Sequence, residues 1–227
     1  MTGESYDFDQ LMRQLVDANS WLADLGYSGN HRVRKYYSTL KRVIDAQNTG
    51  IFETFRPGLS PREEREFFWS LVDGDELSRA LISLRQVPGL DIRHQLDRML
   101  KGPVDVLEER ADSGKATNDA RNIAFELIMT GRLVASGFRP YVDKGPDIQF
   151  EFAGLQVAVQ CKRLFSAKGL EKRTREAARQ LDSATHADLK LAAISLSRLL
   201  TTGDPRALPP LTNGSAIFPY LRSRFSR

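Results

Sequence analysis

Asp147, Gln160 and Lys162 are the residues of this chain whose types and spacing could do chemistry together. Hydrolysing a phosphodiester takes a divalent cation that polarises the phosphate and lowers the pKa of an attacking water. Hard cations want oxygen ligands. A positive side chain beside the phosphate must offset the charge that builds in the transition state. A β-hairpin can supply all three. One strand brings a carboxylate at its start, and the next brings an oxygen ligand and a lysine two residues apart, on one face. Asp147 follows Gly145-Pro146, and Gln160 and Lys162 stand at i and i+2. The Ala153-Gly154 turn lies midway, so a hairpin folded there sets residue 147 opposite residue 160.

The elements that must hold these residues are legible from periodicity. A helix is predicted from about Thr117 to Ser136, ended by Gly137. Three strand-like stretches follow: Phe138 to Val142, Asp147 to Phe152 and Leu155 to Cys161. The last two alternate as DIQFEF and LQVAVQC, with Ile148, Phe150, Phe152, Leu155, Val157 and Val159 on the apolar faces. A basic helix over about Gly169 to Ala184 and an apolar strand over Leu189 to Ser195 complete the order helix, three strands, helix, strand. Helices are predicted before this region as well. Apolar positions recur at helical spacing from Phe8 to Leu25 and again through HRVRKYYSTLKRVIDAQ. Ser60-Pro61-Arg62-Glu63 reads as a capped start for PREEREFFWSLV. ELSRALISLRQV and IRHQLDRMLKG read as two further helices. The expected organisation is an α-helical region over 1–112 and an α/β (α+β) core over 113–227.

In this order and spacing, FELIMTGRLVASGF, GPDI and VAVQCKR resemble the PD-(D/E)XK, or restriction-endonuclease-like, nuclease superfamily. Pro146-Asp147 is present literally. Gln160-Cys161-Lys162 stands where the family carries (D/E)XK, a QxK variant that resembles the Mrr-like branch. The resemblance implies that Asp147 is the principal metal ligand and that Gln160 offers its side-chain carbonyl, with the Cys161 backbone carbonyl as a further ligand. It implies that Lys162 orients water or stabilises the phosphate. Glu126 matches the position of an extra acid in the preceding helix, and Gln180 that of a polar substrate contact. Magnesium or manganese is the cofactor so implied.

Charge points the same way. Of the 227 residues, 1–116 hold 16 Lys and Arg against 19 Asp and Glu, while 117–227 hold 17 against 10. A basic half suits a polyanion. Arg163, Lys168, Lys172, Arg173, Arg175 and Arg179 directly follow the site and are expected to hold phosphates of nucleic acid, with double-stranded DNA as the substrate. The alternative reading of that run is a solvated helix face with internal Glu–Arg pairs. One cysteine and no basic-then-apolar opening predict a cytoplasmic protein, and no stretch suits a bilayer. His31, His94 and His186 have no metal spacing. The function expected is that of a DNA endonuclease, and a homodimer would suit cutting of both strands. The competing class is a scaffold that keeps the fold and binds nucleic acid or protein without chemistry.

Overall fold

A computed structural model describes residues 8–48, 59–108, 119–141, 145–164 and 169–196 of the chain. The expected elements at residues 109–118 and beyond 196, and Lys168, lie outside that set. The fold is mixed α+β, with six α-helices and a three-stranded sheet among the described residues.

The first four helices are α1 (Phe8–Asp24), α2 (Arg32–Asn48), α3 (Pro61–Leu84) and α4 (Arg93–Met99). Their apolar stripes close one core, in which Leu15, Leu22, Tyr36, Leu40, Leu81 and Leu96 are fully buried. The expected start of α3 is confirmed as a capping box. Ser60 Oγ accepts from the Glu63 N–H at 3.3 Å, and the Ser60 N–H donates to the Glu63 carboxylate at 2.9 Å. One expectation is corrected. PREEREFFWSLV and ELSRALISLRQV are not two helices but one, running unbroken through Asp73-Gly74. A helical glycine costs about 1 kcal/mol relative to alanine. Here Gly74 lies against the Tyr36 ring and Asp73 is bound by Arg32 and Arg121, so packing on both sides of the break carries the helix across.

Helix α5 (Asp119–Ala135) joins the two parts of the molecule. Ile123, Ala124, Leu127 and Ile128 belong to the helical core. Phe125, Met129 and Leu133, on the other side, pack on the sheet. The sheet holds β1 (Ile148–Phe152), β2 (Leu155–Arg163) and β3 (Leu189–Ser195) in that spatial order. β1 and β2 are antiparallel, and β2 and β3 are parallel. Helix α6 (Leu170–Asp182) makes the connection from β2 to β3. The expected strand from Phe138 reduces to one antiparallel bridge, Tyr141 with Gln149, and 142–144 lie outside the described residues. Phe138 instead packs its ring against Phe150, with centroids 5.1 Å apart. The hairpin turns at Ala153-Gly154 with φ of +50° and +79°, the left-handed pair that a two-residue turn with the strands' own twist requires. No described helix is long and apolar enough to cross a membrane.

Helices α3 and α5 approach closely at Gly131. A Cβ there would stand 2.6 Å from the Ala80 Cα, which is backbone and cannot swing aside. Gly131→Ala is therefore expected to lower stability by about 1–3 kcal/mol in urea unfolding, although alanine favours a helix. An unchanged or raised midpoint would show that the two helices do not meet there.

Candidate active site

The hairpin register settles where the first two candidate residues meet. Ile148 pairs with Val159, so one further step sets Asp147 beside Gln160, as the turn position implied. The Asp147 carboxylate accepts the Cys161 backbone N–H at 2.7 Å and a hydrogen bond from the Gln160 side-chain amide. Strand alternation puts Val157, Val159 and Cys161 toward α5 and Ala158 toward α6, so Gln160 and Lys162 share the α6 side of β2. Gln160 is 1% exposed and Lys162 is half-buried.

The Gln160 carbonyl oxygen is buried and has no hydrogen-bond partner among the described residues. A buried acceptor left without a donor is costly, and a cation in front of it would satisfy it. Hard cations take such amide oxygens as ligands. The Cys161 N–H points to Asp147, and in an extended strand the carbonyl of a residue leaves by the same edge as its N–H. The Cys161 carbonyl therefore faces the same place. Its thiol is buried in the apolar cluster. Burial, then the charges of Asp147 and Glu126, push it well above the usual thiol range, so it packs as a small apolar group.

Glu126 reaches this centre from α5. Burial pushes its carboxyl up to about 8, and Asp147 adds to the rise, against the pull of Lys162 and Arg98. Asp147 is also raised, by burial, with the Cys161 N–H, the Gln160 amide and Lys162 opposing. Two carboxylates and an ammonium thus lie within each other's field. Burial is the first cause of both rises, and repulsion between the two acids reinforces it at Glu126. Among the described residues no three His, Cys, Asp or Glu side chains form a metal-binding group. The groups here that could hold a cation are two carboxylates, an amide oxygen and a backbone carbonyl.

The basic residues divide. Arg163 does not join the site. It is 6% exposed, on the face of β2 opposite Lys162, and lines a cavity beside Asp73, so it offers no solvent-facing contact to nucleic acid. Strand alternation forces this, since residues 162 and 163 must point to opposite sides. Arg173 pairs with Glu176 at 2.7 Å, and the exposed Arg175 pairs with Glu171 at 2.5 Å, so the internal-pair reading of the helix holds for these two. Lys172, Arg179 and Gln180 are exposed on α6. His186 bonds the buried Gln149, a structural role. Sequence reading took Glu176 only as a countercharge within the basic helix, although it is near enough to Lys162 to feel its charge, and missed the buried arginine cluster around Asp73. No signal in Asp73-Gly74 distinguished a buried charge from a turn.

The Glu126 shift has a checkable sign. Its folded value lies above the ordinary 4.5, so the stability it lends is complete below about 4.5 and is lost as pH rises through about 8. In metal-free buffer, Glu126→Gln is expected to match the parent at pH 5 and to be more stable at pH 9 by urea unfolding. Parallel pH profiles for the two proteins would refute the shift. Compared with protein-family models, curated proteins and solved structures, the chain matches none.

Proposed function

We propose that the chain is a metal-dependent nuclease with a PD-(D/E)XK-type core, hydrolysing the phosphodiester bonds of double-stranded DNA. The observation that carries this reading is the junction of Asp147 and Gln160 at the end of the hairpin, with a buried, partnerless amide oxygen beside Lys162. The order α5, Tyr141 bridge, β1, β2, α6, β3 supports the core, as does a central strand antiparallel to one neighbour and parallel to the other.

Asp147, the Gln160 carbonyl oxygen, Glu126 and the Cys161 carbonyl are the groups that would hold magnesium or manganese. Such an ion supplies polarisation of the phosphate and a more acidic water. The chain's own side chains do the rest. Lys162 offers an ammonium on the face of Gln160, where it can offset charge gathering on phosphate oxygens or orient the attacking water. Glu126 keeps a proton near neutrality and would release it when a cation is bound. Lys172 and Arg179, exposed on α6, would hold the backbone of the nucleic acid, and Gln180 would add a polar contact. A second reading, a scaffold without chemistry, is favoured by one observation. The Gln160 amide already satisfies Asp147 with no ion.

Plasmid, linear duplex and RNA incubated with magnesium or manganese separate these readings. Cleavage of duplex DNA is expected, falling about 100-fold or more in Asp147→Ala and in Lys162→Ala, each checked for folding by circular dichroism. Gln160→Glu is expected to lower the manganese concentration needed. Binding without cleavage in either metal, unchanged by Asp147→Ala, would replace the nuclease with the scaffold.

A further inference from the structure

Helix α5 turns one stripe to the sheet, and the stripe changes character along its length. Phe125, Met129 and Leu133 pack on the sheet. At about 3.6 residues per turn, Asn122 and Glu126 continue this stripe toward the start of the helix. It is therefore apolar over the body of the sheet and polar where Glu126 comes within the field of Asp147. Two polar neighbours of that end are satisfied. Asp119, in the first turn, accepts from Arg98 Nε at 2.7 Å. Thr130 donates its hydroxyl to the Glu126 backbone carbonyl at 2.8 Å. Asn122 differs from both. It is partly exposed, yet its side-chain oxygen is buried and has no hydrogen-bond partner among the described residues.

A buried amide oxygen left without a donor destabilises the fold, and a sheet-facing helix position is ordinarily filled by an apolar side chain. Among the described residues from 119 onward, the side-chain oxygens buried without a partner belong to Asn122 on α5 and to Gln160 on β2, which is 1% exposed. Glu126 links the two. It lies one turn on from Asn122, and side chains so spaced on a helix have their Cβ atoms about 5–6 Å apart. It also feels the charges of Asp147, which bonds Gln160, and of Lys162, two residues beyond Gln160. The groups gathered here are acceptors, and hard cations take amide oxygens as readily as carboxylates. A neutral amide suits position 122. A third carboxylate would add like-charge repulsion to two acids already raised, whereas an amide supplies an oxygen without the charge.

We propose that Asn122 is a further ligand of the divalent cation, holding it from α5 together with Glu126 while Asp147 and Gln160 hold it from the hairpin. The inference rests on the cation site of the nuclease reading and adds a residue to it. The partly exposed amide also places this ligand on the side from which an ion can enter. The consequence has two opposite signs. An apolar side chain at 122 would suit the metal-free fold better, because it removes the buried oxygen, and would suit the ion worse, because it removes a ligand. A residue that only packs would lose stability on the same change and leave the ion's affinity alone.

The test uses the full chain. Manganese is titrated calorimetrically at pH 7 into the parent, Asn122→Leu, Asn122→Asp and Asp147→Ala, and each protein is unfolded in urea with metal chelated. Asn122→Leu is expected to bind manganese about 10–100-fold more weakly, with a metal-free urea midpoint equal to the parent's or higher. Asn122→Asp is expected to bind at least as tightly as the parent and to be less stable without metal. Binding that Asp147→Ala abolishes but Asn122→Leu leaves unchanged overturns this inference and leaves the cation site standing. Absence of binding to the parent overturns both. Weaker binding together with a lower metal-free midpoint in Asn122→Leu makes Asn122 a residue of the fold and overturns the ligand role, as does weaker binding in Asn122→Asp. Should Asn122→Leu fail to fold, Asn122→Ala, which suits a helix, is expected to weaken binding in the same direction.

Discussion

A carboxylate taken out of water must be given donors or a cation, and the candidate site is organised around how this is done for Asp147. Its two donors, the Cys161 N–H and the Gln160 amide, both belong to β2, so the charge can be held only if the hairpin keeps its register. A slip of one residue would turn Gln160 and Lys162 toward α5 and put Cys161 on the α6 side. The left-handed turn at Ala153-Gly154, the apolar face toward α5 and the buried carboxylate all specify that register. The site and the fold are for this reason one problem. The arrangement stops short of full satisfaction, since the Gln160 oxygen is left without a donor and both Asp147 and Glu126 are driven toward their protonated forms.

Helix α5 makes the helical half part of the same problem. One of its faces completes the helical core, the other covers the sheet, and Glu126 comes from between them. Its position along α3 is set by the close approach of Gly131 to Ala80 and by Arg121, which ties its first turn to Asp73. Any displacement of α5 would move Glu126 against Asp147. The arginine cluster thus lies behind the candidate site, bound to the same strand through Arg163 and to the same helix through Arg121.

The local part of this organisation was legible in the residues. A turn midway between Asp147 and Gln160 sets the pairing by arithmetic, and Ser60 with Glu63 marks a helix start because both groups of the cap are written three residues apart. What was not legible depends on distant partners. Asp73-Gly74 looks like a break until Tyr36 and two arginines are packed on it. Phe138 to Val142 looks like a strand, yet only Tyr141 finds a ladder partner among the described residues. Arg163 looks like an extension of a basic run. Alternation fixes only that it opposes Lys162, and the helical half waiting on that side is what buries it. The basic helix was half legible, since the i,i+4 pairing of Glu171 with Arg175 follows from spacing, and the same spacing reduces the charge that α6 offers a polyanion.

The central claim is that Asp147, Gln160 and Glu126 together form a site for one divalent cation. Calorimetric titration of manganese at pH 7, repeated in two buffers of different ionisation enthalpy, measures both the ion bound and the protons displaced. The account predicts about one ion per chain with release of close to one proton, chiefly from Glu126, and loss of both in Asp147→Ala. No binding, or binding without proton release that survives Asp147→Ala, would contradict it.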